Sequence, residues 1–230
     1  MRLVMLVATA AALTAYAAPA LAQTASQAAA IEEFKKGQAN ADAAKEDPKM
    51  NQDTITIMSG IITANTLPPE WAPFPYFYRG QAYRRLKQYN EAMADFDTTI
   101  KMKPDLAAAF FESGLAYAAQ EKYKQAIKSY DGAVKLQPDN ANFVYSRCVS
   151  KSWVNDNAGA REDCRKAVTL KPDFVEAWLT LGRAHEDLGQ LDKAEECYKE
   201  VIKLEPKNKS AKEGLDFIAE KRKAIKAGGG

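Results

Sequence analysis

The chain has little of what chemistry usually requires. Among 230 residues there is one histidine, His185, and only three cysteines, Cys148, Cys164 and Cys197. It contains no H-E-x-x-H and no C-x-x-C, so the common metal-ligand spacings are missing. It has no Walker loop and no G-x-G-x-x-G to cradle a phosphate, and no serine in a nucleophile elbow. An excess of charge of either sign is also lacking: 32 Lys and Arg stand against 30 Asp and Glu, a formal net charge of +2. Such a balance argues against a general binder of nucleic acid or of membrane surfaces. The reading is therefore of a chain with no catalytic residue, no metal ligand set and no cofactor site. Its many carboxylates fall at turns and on helix columns expected to be solvated.

What the chain does have is a period. Pro104, Pro138, Pro172 and Pro206 are spaced 34 residues apart, and the first three are followed by Asp105, Asp139 and Asp173. Proline cannot continue a helix, and a well-placed aspartate can cap the next one. Other columns keep the same interval. Gly80, Gly114 and Gly182 recur, as do Tyr83, Tyr117 and His185. Alanines stand at 92, 126, 160 and 194, and Phe96, Tyr130, Cys164 and Tyr198 follow four residues later. Apolar spacings of three and four indicate helices.

This pattern resembles the tetratricopeptide repeat, with its 34-residue period and W-x2-L-G-x2-Y…A-x3-F…P signature. Trp178, Leu181, Gly182, Ala194, Tyr198 and Pro206 carry the closest match, with His185 at the tyrosine position. The resemblance implies an all-α protein: a right-handed superhelical solenoid of helix–turn–helix units at 73–106, 107–140, 141–174 and 175–208. The third unit departs from the pattern, with Cys148, Lys151 and Cys164 in place of the glycine and both aromatics. Residues 209–230 are expected to form a capping helix and a Gly tail, with Leu215 and Ile218 inward and Lys221, Arg222, Lys223 and Lys226 in water. Residues 23–72 carry no clean repeat. They are expected to form a helical cap or degenerate repeat, with a β-rich reading of 54–63 as the alternative. The repeats as a whole predict one elongated domain.

Residues 1–22 have the pattern of a secretory signal peptide. Arg2 is the only charge, an Ala-, Leu- and Val-rich run follows, and Ala20-Leu21-Ala22 fits the cleavage rule. The alternative is an uncleaved anchor. Cleavage would remove one arginine and no acid, lowering the formal charge from +2 to +1, and no membrane insertion is expected of the remainder. The expected address is periplasmic or secreted.

In an antiparallel helix pair turning near Asp156, Cys148 and Cys164 face each other. In an oxidising compartment they could be joined as a disulfide; the alternative is two buried thiols. Cys197 is left over, either half-buried or available for pairing between molecules.

By the family resemblance, the first helix of each unit lines a concave groove. The positions expected to bind there are Phe74, Phe77, Arg84, Arg85, Phe111, Tyr145, Leu179 and Arg183. Phe77, Phe111, Tyr145 and Leu179 form an apolar ladder, either open to a ligand or packed as core. Glu176, Glu186 and Asp187 add acid near the fourth unit. Family members that clamp a chaperone's C-terminal carboxylate use Lys and Asn at set positions. Here those columns hold Gln81, Glu112, Leu115 and Ser146, so the clamp is absent. The expectation is an adaptor or scaffold for a protein or peptide partner. Self-association through the aromatic surface or Cys197 is the competing role, with an enzyme of unrecognised site as the further alternative.

Overall fold

The computed structural model describes residues 5–45 and 47–228, with side chains for 25–45 and 47–227. The expected cleavage site at 20–22 therefore lies outside the residues whose side chains are described. Among the described residues there are eleven helices and no strand. No helix among them is long and apolar enough to cross a membrane.

The helices fall into two compact units, Met1–Pro104 and Asp105–Gly230. The boundary falls at the first Pro-Asp step, where the backbone is in a turn between helices.

The first unit contains α1 (Met5–Ala44), α2 (Pro48–Ala64), α3 (Pro73–Arg85) and α4 (Tyr89–Met102). Each packs on the next in the chain. Residues 54–63 are helical, so the β-rich alternative falls. Asp47 accepts hydrogen bonds from the backbone N–H of Lys49 (2.9 Å) and Met50 (3.2 Å), and Pro48 occupies the first helical position. Both features start a helix sharply. Phe34, Met58 and Ile61 form the apolar contact that holds this end together.

The second unit contains α5 (Ala107–Ala118), α6 (Tyr123–Leu136), α7 (Ala141–Trp153), α8 (Asn157–Leu170), α9 (Val175–Asp187), α10 (Leu191–Leu204) and α11 (Lys209–Gly228). It is three antiparallel hairpins in sequence order, closed by α11 against α10.

The Pro-Asp steps behave differently from expectation in one respect. The prolines do follow the helix ends, with Lys103, Gln137, Lys171 and Glu205 as the C-caps. The aspartates are not the N-caps. The caps are Leu106, Asn140 and Phe174, one residue further on, and only Asn140 accepts from the following N–H groups. The turn needs one more residue before the helical dihedrals begin, which leaves each aspartate outside the helix.

All four hairpins turn in the same way. Lys87, Glu121, Asn155 and Gly189, again 34 residues apart, have φ between 58° and 69°. In each, the following N–H reaches back five residues: Gln88 to Tyr83 O (2.8 Å), Lys122 to Tyr117 O (3.0 Å), Asp156 to Lys151 O (2.9 Å) and Gln190 to His185 O (2.8 Å). This is the Schellman closure, which favours glycine at its left-handed residue. Only the fourth hairpin has one.

Small residues let the paired helices meet. A Cβ on Gly80, Gly114 or Gly182 would lie 2.7, 2.4 or 2.6 Å from the ring of Phe96, Tyr130 or Tyr198. Tyr198 is also gripped from its other edge, since a Cβ on Gly214 of α11 would lie 2.4 Å from it. The ring cannot retreat from either side. Gly182→Ala should therefore cost about 1–2 kcal/mol net. Overpacking at about 1–3 kcal/mol exceeds the roughly 1 kcal/mol gained in helix propensity. Urea denaturation measures it, and an unchanged or raised midpoint would contradict the wedge.

In the third repeat the glycine–aromatic slot is filled by sulfur. Cys148 of α7 and Cys164 of α8 form a disulfide with their Cα atoms 5.4 Å apart. Cys197 is buried, at 4% exposure, and free. Burial pushes its thiol up to about 12. It is therefore not placed to pair between molecules.

The repeats also bury charge, which the sequence reading assigned to solvent. Asp95 is 5% exposed and takes both Nε and Nη2 of Arg79, each at 2.8 Å. Nη1 of Arg79 donates to Ser59 of α2 at 3.0 Å. Asp163, 4% exposed, accepts from Arg147 Nε (2.8 Å), from Arg147 Nη2 (2.7 Å) and from Lys151 (2.8 Å). Arg147 reaches Asp131 with its remaining nitrogen at 2.8 Å. At the same two columns the second repeat has Ser113 and Ser129, 3.2 Å apart, and the fourth has buried Leu181 and Cys197.

The C-terminal helix buries Ala211 and Ile218, with Leu215 half-buried against α10, as its pattern predicts. Arg222 departs from expectation: instead of facing water alone, it pairs with Asp192 and Glu195 of α10.

Candidate functional site

The expected groove residues divide by unit. In the first unit, Phe77 is 8% exposed and packs at 5.3 Å from Tyr78 and 6.3 Å from Phe96. It is core, and the open end of the apolar ladder is lost there. Arg85 is also structural. Its Nη1 donates to Ala41 O at 2.6 Å, near the end of α1, where a cation is favoured by the helix dipole. Arg84 is half-buried and engaged within the fold.

Of the first-unit set, Phe74 faces a cavity. A recess of about 260 Å³ is lined by Phe34, Gln38, Glu70, Trp71, Phe74 and Tyr78. Phe34 is its floor, at 2% exposure. The ring of Trp71 meets it edge-on at 5.5 Å, and Phe74 and Tyr78 tilt over it at 6.4 and 5.8 Å. Local sequence explains the convergence. Phe74 and Tyr78 are one turn apart on α3, so they share a face. The Pro68-Pro69 step folds the chain back, and the N–H of Trp71 bonds to Pro68 O at 2.9 Å. Burial, and then the charge of Asp42, push the Tyr78 phenol above its ordinary range, while a hydrogen bond from Gln38 opposes them. The phenol therefore stays neutral at physiological pH. The volume is below the roughly 300–1,000 Å³ of drug-sized pockets, and it suits one large side chain. Aromatic walls with one carboxylate at the edge can hold an apolar, aromatic or cationic group.

In the second unit the ladder residues are half-buried, each with one side occupied. Phe111 stacks on Phe143 at 4.6 Å and lies 5.7 Å from Tyr130. Tyr145 packs on Phe174 at 4.6 Å and hydrogen-bonds Thr180, with its phenol pushed up mainly by burial. Leu179 lies against the Tyr198 and Ile218 cluster. Arg183 is exposed. These rings bridge successive hairpins, because the fifth position of a unit faces the neighbouring first helix as much as it faces solvent.

His185 is 7% exposed, and its Nδ1 lies 2.7 Å from Gln190 Oε1. Burial pulls its pKa down. It fills the aromatic packing column, with no nucleophile bonded to it.

Phe34 and Trp71 were not among the residues expected from sequence. They lie outside the period; Trp71 was signalled only by the cluster of bulky and proline residues from Leu67 to Pro75, and Phe34 by nothing.

Within each unit the helices pair into successive hairpins, the mark of a helical repeat protein, and comparison with known proteins agrees. Residues 175–208 and 77–141 each match a model described as Tetratricopeptide repeat, so the chain carries tetratricopeptide repeats. It is similar to the Saccharomyces cerevisiae protein named Heat shock protein STI1, at 40% identity over 68 residues, which are 30% of this chain and 12% of that protein. It is also similar to the Hsp70-Hsp90 organizing protein of Triticum aestivum, at 36% over 89 residues, covering 38% of this chain and 15% of the relative. The chain thus spans only a small part of the relatives it matches. Among solved structures, MamA from Desulfovibrio magneticus superposes with a TM-score of 0.65 at 20% identity, covering 77% of this chain and 97% of that one. That likeness is one of fold.

Proposed function

We propose that this protein is an adaptor that binds a protein or peptide partner by seating one bulky side chain in the aromatic recess of the first unit. The observation that carries this is the recess itself: Trp71, Phe74 and Tyr78 are half-buried around a closed floor. Aromatic anchors in such pockets dominate most interfaces. The wheat relative is named for organising Hsp70 and Hsp90. In the present chain Gln81, Glu112, Leu115 and Ser146 stand at the columns where a chaperone carboxylate would be clamped, so a different partner is proposed. Catalysis is not part of the role.

The setting we propose is outside the cytoplasm, in the periplasm or beyond, in envelope assembly, secretion or the regulation of cell-wall enzymes. The Ala20-Leu21-Ala22 signal supports export, and a disulfide suits an oxidising compartment.

Peptide display against residues 23–230, followed by fluorescence anisotropy, tests the binding. Trp71→Ala is expected to weaken a selected peptide about 30-fold, as a loss of about 2 kcal/mol at an anchor would. Equal affinity in wild type and variant, with helicity retained, would place binding elsewhere. Self-association is favoured by a separate observation: Phe217 and Ile225 of α11 are 45% and 64% exposed. Light scattering of the same sample would reveal it as a mass that grows with concentration.

A further inference from the structure

The second unit has a recess of about 380 Å³ lined by Arg161, Glu162, Arg165, His185 and Lys193. Arg161 and Arg165 are one turn apart on α8, His185 is in the last turn of α9, and Lys193 is in the first turn of α10. α8 and α10 thus aim three cations, Arg161, Arg165 and Lys193, at one space, and α9 adds the imidazole of His185. None of the three pairs with a carboxylate among the described residues, and Glu162 is the single acid in the lining. Elsewhere in the unit, Arg147, Lys151 and Arg222 are matched by Asp131, Asp163, Asp192 and Glu195. What marks the recess is that three such cations converge on one concavity.

Two further features point the same way. Lys193 stands at a helix N-terminus, where the dipole disfavours a cation and favours an anion. The α10 cap residue, Gln190, makes no side-chain capping bond, because its amide oxygen is taken by His185. Uncompensated cations around a concavity raise the local concentration of anions. Two guanidinium forks beside an ammonium suit an oxyanion with several acceptor atoms, since each fork can donate two parallel bonds.

From this geometry we infer that the recess is a binding site for a phosphoryl group or a comparable multiply charged oxyanion. It is built only from α8, α9 and α10 and uses none of the aromatic recess residues, so it stands or falls apart from the peptide reading. His185 reports its occupancy. The groups acting on it are Arg161 from α8, Lys193 and Glu196 from α10, and Gln190 from the turn. Burial lowers its pKa first, Gln190 opposes, Lys193 and Arg161 lower it further and Glu196 raises it. A bound dianion reverses the field of the two cations and favours the imidazolium, so the pKa of His185 rises on binding.

Because His185 is the only histidine, its ring protons give one NMR titration in the full chain. Pyrophosphate is expected to bind saturably at constant ionic strength and to raise that pKa, with chloride as the control. The double variant Arg161→Ala, Arg165→Ala should weaken binding at least 10-fold, and Arg161→Lys, Arg165→Lys should restore part of it. Arg165 and Lys193 are exposed and Arg161 is half-buried, and Lys193→Ala supplies an independent variant. A phosphoserine peptide in place of pyrophosphate separates the sources. Tighter binding of the peptide than of its unphosphorylated form and of pyrophosphate identifies a phosphorylated protein, and equal binding identifies a free anion. A shift that merely follows ionic strength, or alanine variants that bind as the wild type does, would overturn the site.

Discussion

Replacing Asp163 with alanine is expected to destabilise the second unit by about 3 kcal/mol, the low end of the cost of breaking a buried ion pair. Asp163 is the shared acceptor of Arg147 and Lys151, whose side chains are only 18% and 19% exposed. Without it, Arg147 retains only Asp131, whose side chain is 54% exposed, and Lys151 retains no carboxylate partner. The partial exposure of both cations lets water reach them, which is why the low end applies. Urea denaturation followed by circular dichroism measures the loss. The triple variant Arg147→Leu, Lys151→Leu, Asp163→Ala, which leaves neither cation stranded, should recover part of it, because apolar groups are tolerated in such places. The fourth repeat already uses an apolar pair, Leu181 with Cys197. A single-variant loss below about 1 kcal/mol would mean that the network is a solvated surface feature.

Reduction of the Cys148–Cys164 bond is expected to cost a similar amount, about 3 kcal/mol in the chain-entropy model, given its sequence separation of 16. The bond takes the place of a glycine–ring contact, so the reduced hairpin lacks both the covalent link and the aromatic filler. A thermal midpoint that falls with reductant measures the effect. Thiol counting checks the state directly. Native protein should label slowly or not at all at pH 8, because Cys197 is buried with its thiol pushed up to about 12. Denatured protein should show one thiol without reductant and three with it. Three thiols in denatured, unreduced protein would remove the bond from the account.

The repeat architecture was legible because proline, glycine and small-residue constraints act locally and return every 34 residues. The disulfide was legible for the same reason. In each hairpin, residues 16 apart face each other, and two cysteines at that spacing stand out. The ion pairs obey the same spacing, as Arg79 and Asp95 and as Arg147 and Asp163, yet aspartate on a helix defaults to solvent. Only the change in step of both columns, Arg with Asp, Ser with Ser, Leu with Cys, carried the information. The left-handed turn residues were hidden because Lys87 and Glu121 bear no mark of a position that favours glycine. The aromatic recess was half-seen. Phe74 lay in the period, but Phe34 and Trp71 come from the irregular end, and their contact depends on a tertiary fold-back that no repeat column encodes. For Phe77 the groove and core readings both stood open, because spacing alone cannot tell which flank of a helix its neighbour covers.

The matched columns have a consequence for how the chain finds its own hairpins. Tandem repeats risk pairing the first helix of one unit with the second helix of another, within a chain or between two chains. If α3 met α6, Arg79 would be set against Ser129. If α5 met α8, Ser113 would face Asp163, and α7 paired with α10 would set Arg147 against Cys197. Each neighbouring mismatch strands a charge, because adjacent repeats never share the same pair. The alternation works as a set of addresses, and it disfavours strand-exchanged dimers and slipped registers that a uniform array would permit.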